Sequence, residues 1–371
     1  MIDQCSPLHV SFSAGHGDGG IAFALSDLLS AQQDLNTFSR WLAADQYSRL
    51  SRNRLLTKQI INLDPTVVHL HGLWRNPTQI ASKLSMHSIP YVIAPHGMLD
   101  PWALSHSSWK KYIAWRTWES TALNNASCIQ ALCQAELKAI FNKVRDVPVA
   151  LIPNGVAIPT GIRYSKRHLP WFNIIPENDK VLLFLGRFHQ KKGLEALMTA
   201  WQAIADKAKY YGWWMVFIGF GDDGRFQSQL KQSPVQNALA FGPVFNEIKN
   251  AVYQHSSAFI LPSYSEGLPM AALEAMANRL PLLLSNACNL PEAFQEKAAL
   301  EVQPEVDRLT DVLLKLFEMS NAELENYGIN AYNLAKSKFS WSQVAQKTIQ
   351  LYKWIDGQEA KPNFVQTYPL N

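Results

Sequence analysis

Between Ala258 and Ala277 the chain has the pattern of a strand, a sharp turn and a helix, and little else fits these twenty residues. The apolar run Ala258-Phe259-Ile260-Leu261-Pro262-Ser263 is short and unbroken, as a buried strand is. Gly267 and Pro269 then punctuate the chain, and Met270 to Ala277 follow a helical period. A helix that starts this way aims several free backbone N–H groups at one spot, which favours an anion and phosphate above all. Glu266 lies on the loop, and Glu274 lies eight positions on, about a turn and a half into the helix. One carboxylate can then face a sugar hydroxyl and the other a ribose, with a diphosphate held between them by backbone amides.

A second segment points to the same sheet edge. Gly186-Arg187-Phe188-His189-Gln190-Lys191-Lys192-Gly193 directly follows the apolar run Val181 to Leu185. In open parallel sheets ligands sit at the carboxyl ends of strands, which is where Arg187 and Lys192 fall. Arginine offers a planar fork to phosphate oxygens and lysine a point charge. Strands expected at 181–185, 214–218, 239–241, 258–262, 281–284 and 299–302 alternate with helices. The pattern predicts an α/β chain with a doubly wound parallel sheet.

The first half repeats this style with less regularity. Strands are expected at 9–13, 67–71, 91–95, 128–132 and 149–152, with a glycine-rich turn at 15–20 and a helix from Ile21 to about Leu35. Residues 36–65 show little strand pattern. The Pro-, Gly- and base-rich stretch from Gly155 to Lys180 reads as a linker. His71 and His96 each end an expected strand, in V-V-H-L-H-G and Y-V-I-A-P-H-G. His69 and His71 share a strand face, but no Asp, Glu or Cys nearby completes a metal set. No D-x-D occurs (Asp222-Asp223 is adjacent, not spaced), so Arg187, Lys192 and helix amides are left to supply positive charge, and metal independence is expected.

These motifs resemble the retaining glycosyltransferases of family 4, with the GT-B fold. The resemblance is carried by G-R-x4-K-G, Phe217-Ile218-Gly219-x-Gly221, Phe241-Gly242, E-x7-E and the closing Phe339-Ser340-Trp341, in that order. It implies two Rossmann-like doubly wound domains facing a cleft, at 1–165 and 166–340, with a crossover helix and tail at 341–371. It implies transfer of a hexose, with retention, from a GDP- or UDP-linked sugar to a glycan or polyprenyl-linked acceptor, without a cofactor. By the same resemblance Arg187, Lys192 and the backbone at Gly20, Gly267 and Leu268 bind the donor diphosphate. Glu266 and His96 act at the donor sugar, Glu274 binds ribose, and His71 and Trp74 belong to the cleft or acceptor side. P-H-G-M-L and C-N-L-P-E suggest a bacterial branch that builds surface polysaccharide, exopolysaccharide or lipopolysaccharide O-antigen. One departure is Ser285-Asn286-Ala287-Cys288-Asn289, where many relatives carry a glycine-rich turn. A same-fold nucleotide-sugar epimerase and a silent binding module stay open as alternatives.

The 371 residues suffice for two cores. A net charge of +4 is far from the basic stripe of a nucleic-acid binder. Cys5, Cys128, Cys133 and Cys288 show no C-x-x-C and read as reduced thiols. No secretory signal and no run of about 18 apolar residues is visible, so a cytoplasmic protein is expected, with peripheral contact at the inner membrane face as an option. That option rests on residues 101–122, where Trp102, Trp109, Trp115 and Trp118 are interleaved with Lys110, Lys111 and Arg116. The seven-residue repeat of Trp102, Trp109 and Arg116 puts them on one face, a spacing that is more often core packing.

Overall fold

Short apolar runs without polar interruption are what parallel strands buried on both faces require, and they dominate both halves of the structure. A computed structural model describes residues 6–15, 20–105, 108–221 and 224–368, the Trp102 side chain excepted. Cys5, His16 to Gly19 of the glycine-rich turn, and Asp222-Asp223 lie outside the described residues. The chain divides into two units, residues 1–155 with 341–371, and residues 156–340.

Among the described residues the first unit carries seven strands: β1 (Pro7–Ser11), β2 (Arg40–Ala43), β3 (Val67–His71), β4 (Tyr91–Ala94), β5 (Cys128–Ala131), β6 (Val149–Leu151) and, at the far end of the chain, β13 (Val365–Gln366). Their order is β13-β6-β5-β4-β3-β1-β2, with only β13 antiparallel. The order reverses between β1 and β3, the switch point at which doubly wound sheets of this kind bind ligands. The period-two alternation of a strand sorts the side chains. Leu8, Val10, Val68 and Leu70 enter one core layer, while Val67, Val92, Cys128 and Ala150 enter the other with Leu28, Val344 and Tyr352. The second layer is covered by the helices Gly20–Asp34 and Trp341–Ile355. His9, His69 and His71 alternate onto that same face.

Two expectations change here. The stretch 36–65 holds a strand after all: β2 pairs in parallel with β1, from Leu8 opposite Arg40 to Ser11 opposite Ala43. It is a four-residue edge strand, exposed at its start, so it carries no long apolar run. The helix following β4 is also not uniform. Ser108–Ala114 runs into a π-turn, Trp115–Glu119, before Ser120–Asn124. A π-turn adds a residue to the winding, so the 100° spacing behind the core-packing reading fails across it, although Trp115 does pack against the core. Trp109 is 64% exposed and lies beside exposed Tyr112 and Ile113.

The second unit contains β7 (Lys180–Arg187), β8 (Trp213–Phe220), β9 (Ala238–Phe241), β10 (Ala258–Leu261), β11 (Leu282–Leu284) and β12 (Ala299–Glu301). They form a wholly parallel sheet in the order β12-β11-β10-β7-β8-β9. This is the Rossmann order, and its switch point lies between β7 and β10. The stretch read as a linker is packed into this unit. Leu169 and Trp171 are buried, Trp171 lies 6.4 Å from Phe241, and the Tyr164 N–H donates to Gln254 Oε1 at 2.9 Å. Two hydrophobic anchors in a polar, aperiodic stretch suffice to hold it.

Candidate active site

In the second unit the switch point gathers the expected residues. Gly193 sits at φ +70°, and a Cβ there would run into the Pro262 carbonyl, so only glycine lets the turn after β7 press against the end of β10. That approach brings Lys192 Nζ to 2.5 Å from Glu266 Oε1, with both side chains largely buried. Ser263 Oγ donates to the same oxygen at 2.6 Å. Among the described residues nothing donates to Glu266 Oε2, which leaves that oxygen to accept from a ligand. Lys192, assigned by resemblance to the diphosphate, is thus first the clamp of Glu266, with two of its three N–H donors left over. Arg187 ends β7 exposed, its guanidinium 5.7 Å from the Phe220 ring. Gly267 is half-buried and Leu268 buried on the turn that leads to the helix Met270–Ala277, whose first turn has no side-chain cap.

Glu274, one turn into that helix, accepts from Lys249 Nζ at 2.8 Å and from Tyr253 OH at 2.9 Å. Its own burial, and after that the carboxylate beside it, raise the Tyr253 phenol well above its ordinary value. The departure at 285–289 turns out to be a brace. Asn289, at φ +56°, takes the left-handed backbone a glycine would, and its Nδ2 donates to the carbonyls of Glu266 (2.7 Å) and Gly267 (3.0 Å). Glu266 N donates to the Ala287 carbonyl at 3.0 Å, and Ser285 Oγ to that of Ser263 at 2.6 Å. Asparagine tolerates this conformation and adds a donor that glycine lacks.

In the first unit Gly20 opens the helix Gly20–Asp34, and a Cβ added there would meet open space. His96 follows β4 at φ +53°, half-buried, with Gly97 also left-handed at +77°. Glu136 holds this turn. Its Oε1 accepts from Gly97 N at 2.5 Å and its Oε2 from Leu132 N at 2.7 Å, which ties the P-H-G turn to the end of β5. His71 is largely buried, at 4% exposed, at the wall of a cavity it shares with Trp74. Its Nδ1 lies 3.0 Å from His96 Nε2, and its Nε2 lies 2.9 Å from His9 Nδ1. His9 Nε2 lies 3.3 Å from Tyr352 OH, which is 2.7 Å from His69 Nδ1.

Burial lowers all four imidazoles. His9 falls to about 4, with a Gln32 contact offsetting part of the burial, and His96 falls to about 4. His69 and His71 lie well below the ordinary value, and neighbouring imidazoles add to the desolvation. His9 supplies a third imidazole to the His69–His71 pair, with ring nitrogens within 4.8 Å of one another. The rings are stacked, with centroids 4.2 to 5.4 Å apart and planes within 28°. Stacked rings aim their lone pairs side by side, whereas a tetrahedral ion needs them to converge.

Trp74, after β3, is left-handed at φ +67°, and its N–H donates to Glu119 Oε2 at 2.8 Å. Thr78 Oγ1 and Trp118 Nε1 donate to that oxygen too, at 3.0 and 3.1 Å. Desolvation pushes the Glu119 carboxyl up to about 7, against the pull of these donors. A cavity of about 420 Å³ lies beside this turn, lined by Phe12, His71, Trp74, Arg75, Met98 and Lys111 among others. Sequence reasoning missed Glu119, Glu136, His9, Lys249 and Asn289. Only Glu136, in the first turn of the helix after a strand, carried a readable signal, that of a capping carboxylate.

Two doubly wound units of these strand orders, with a clamped glutamate, a second glutamate in a helix and an arginine at the strand ends, define a GT-B glycosyltransferase. Two family profiles match: "Glycosyl transferases group 1" over residues 165–334 and "Glycosyltransferase Family 4" over residues 14–158. The chain belongs to the family 4 glycosyltransferases. A Bacillus subtilis protein named for teichuronic acid biosynthesis, the glycosyltransferase TuaC, is 23% identical over 314 residues, covering 84% of this chain and 76% of that one. The alpha-maltose-1-phosphate synthase of Mycobacterium tuberculosis is 24% identical over 321 residues, covering 78% and 79%. Among solved structures, sucrose-phosphate synthase from Thermosynechococcus elongatus superposes with a TM-score of 0.77 at 17% identity, covering 95% of this chain and all of that one. The chain is a glycosyltransferase that uses a nucleotide-sugar donor, and neither the epimerase nor the silent module is favoured. No helix among the described residues is long and apolar enough to cross a membrane.

Proposed function

We propose that this enzyme moves a hexose, with retention of configuration and without a metal ion, from a UDP- or GDP-linked donor to a glycan or polyprenyl-linked acceptor in surface-polysaccharide synthesis. The observation that carries the reading is Glu266, held on one oxygen by Lys192 and Ser263 and free to accept on the other. The free oxygen takes a hydroxyl of the donor sugar. Arg187, the remaining donors of Lys192 and the amides at Gly267 and Leu268 take the diphosphate, and Glu274 takes the ribose. As the bond to the anomeric carbon breaks, negative charge grows on the phosphate. Donors already fixed there stabilise that charge without reorganising.

The cavity by Trp74 suits an acceptor with an apolar body and a negative group near Arg75 and Lys111. The polysaccharide assignment is supported by the name of the B. subtilis relative. The unit of residues 1–155 with 341–371 serves as acceptor domain and the unit of residues 156–340 as donor domain. The experiment is nucleoside diphosphate release from a panel of nucleotide sugars in the presence of EDTA. Release from one donor, undiminished by EDTA and lost in Arg187→Ala, is the expected result; release that needs added divalent metal would overturn the metal-independent reading.

Exposed Trp109, Tyr112 and Ile113 with Lys110, Lys111 and Arg116 on one helical run suit a negatively charged bilayer surface. The protein should co-sediment with phosphatidylglycerol vesicles, and the pair Trp109→Ser, Tyr112→Ser should weaken that binding about tenfold or more, as loss of two buried aromatic rings implies. Equal sedimentation of the two proteins would remove the membrane from the proposal.

A further inference from the structure

The loop after β11 turns one side chain toward the backbone that joins Glu266 to Leu268. Asn289 Nδ2 lies 2.7 Å from the Glu266 carbonyl oxygen and 3.0 Å from that of Gly267. Both partners can only accept, so the amide must present its nitrogen here, and its two N–H groups suffice for the two carbonyls. The side chain is in reach because Asn289 closes the 3₁₀ turn Asn286–Cys288 in the left-handed conformation, at φ +56° and ψ 36°.

A trans peptide group is planar, and its C=O and N–H point in opposite directions. Holding the Gly267 carbonyl therefore turns the Leu268 N–H away from Asn289. Leu268 is buried, yet among the described residues nothing accepts from that N–H. An orphan amide in a buried residue is rare in folded proteins and calls for a partner. Pro269, which follows, has no N–H to offer. Leu268 thus supplies the last amide before the helix Met270–Ala277, and a side chain 22 positions beyond Gly267 sets its direction.

The same loop fixes Glu266. Its backbone N–H donates to the Ala287 carbonyl at 3.0 Å and its carbonyl accepts from Asn289, so the peptide planes on both sides of the residue are held. Lys192 and Ser263 hold one carboxylate oxygen, which leaves the other little freedom. Glu266 stands two positions before Leu268, and Glu274 stands six after it. With Glu266 at the sugar and Glu274 at the ribose, the Leu268 N–H falls to the phosphate bonded to the sugar.

We propose that Asn289 is a positioning residue that aims the Leu268 N–H at the sugar-bonded phosphate of the donor and holds Glu266 toward the sugar. One side chain then sets the spacing of the two contacts. The identity of the ligand rests on the function proposed above. Charge grows on that phosphate as the sugar leaves, so Asn289 acts on turnover as well as on binding.

The test is calorimetric titration of the full chain and two variants with UDP and GDP and with the monophosphates UMP and GMP. Asn289→Asp keeps the shape of the side chain but sets an oxygen against both carbonyls. It should weaken the diphosphate that the unaltered chain binds by about tenfold or more, the size of one lost hydrogen bond to a charged group. The matching monophosphate lacks the phosphate concerned and should stay within about twofold. Asn289→Gly takes the same backbone without the repulsion and should fall between, and kcat for nucleotide release should drop with diphosphate affinity in both variants. Equal losses for monophosphate and diphosphate would mark a general loosening of the pocket and overturn the proposal. Unchanged diphosphate affinity, or failure of both variants to fold, would overturn it too. If Asn289→Asp alone does not fold, Asn289→Gly decides. Binding of neither diphosphate by the unaltered chain would overturn the donor assignment and this role with it.

Discussion

Glu266→Gln should lower turnover by about 100- to 1,000-fold, the range seen when one fixed electrostatic contact to a transition state is removed, and should leave the fold intact. The reasoning is atomic. Glutamine keeps one carbonyl oxygen, which can still accept from Lys192 and Ser263 as Oε1 does now. Its amide nitrogen then replaces Oε2, so an acceptor becomes a donor where the sugar hydroxyl would donate. Lys192→Met makes a contrast. It strands Glu266 as a largely buried carboxylate without its ion-pair partner, a change that costs about 3–5 kcal/mol, so activity and melting temperature should fall together. Steady-state nucleotide release and thermal melting of the two variants check this. A folded Glu266→Gln protein with unchanged kcat would end the assignment of Glu266 to the sugar.

The second large effect is on stability in acid. Each of the four linked histidines has a folded-state pKa below its unfolded value near 6.5, so below that pH the unfolded chain binds more protons. Stability is therefore fully present above pH 6.5 and is lost as pH falls toward about 4, by about 1.4 kcal/mol per pH unit for each histidine titrating in the window. His9 and His96, both lowered to about 4, carry that loss to the bottom of the window. Glu119 acts in the opposite sense. Its carboxyl is raised to about 7, so its contribution is present below pH 4.5 and lost as pH rises through 7. Burial raises the Glu136 carboxyl as well, so it acts with Glu119, but two carboxyls against four imidazoles do not reverse the trend. Urea unfolding followed by tryptophan fluorescence from pH 7.5 to 4.5 should show a steep acid loss, and a flat profile would contradict the buried neutral chain.

The contrast between what the sequence discloses and what it conceals is physical. β7, β10 and the helix Met270–Ala277 are legible because buried parallel strands and the turns that end them leave dense, local patterns. Arg187, Lys192, Glu266 and Glu274 fall at strand ends and in a helix for the same reason. Lys192's grip on Glu266 is not legible, since it depends on Gly193 pressing against Pro262, 69 positions further along the chain. β2 escapes because an edge strand of four residues has no buried run. The histidine chain escapes because its links join residues 25, 62, 283 and 343 positions apart. Asn289 reads as the absence of a glycine and acts as its replacement.

The π-turn at Trp115–Glu119 carries a consequence for variation in this region. It shifts the winding by one residue, and Glu119 sits at its end, beneath the backbone of Trp74. Removing a single residue between 115 and 118 would restore ordinary winding and carry the carboxyl away from that turn. The segment should therefore accept many exchanges of side chain and very few changes of length.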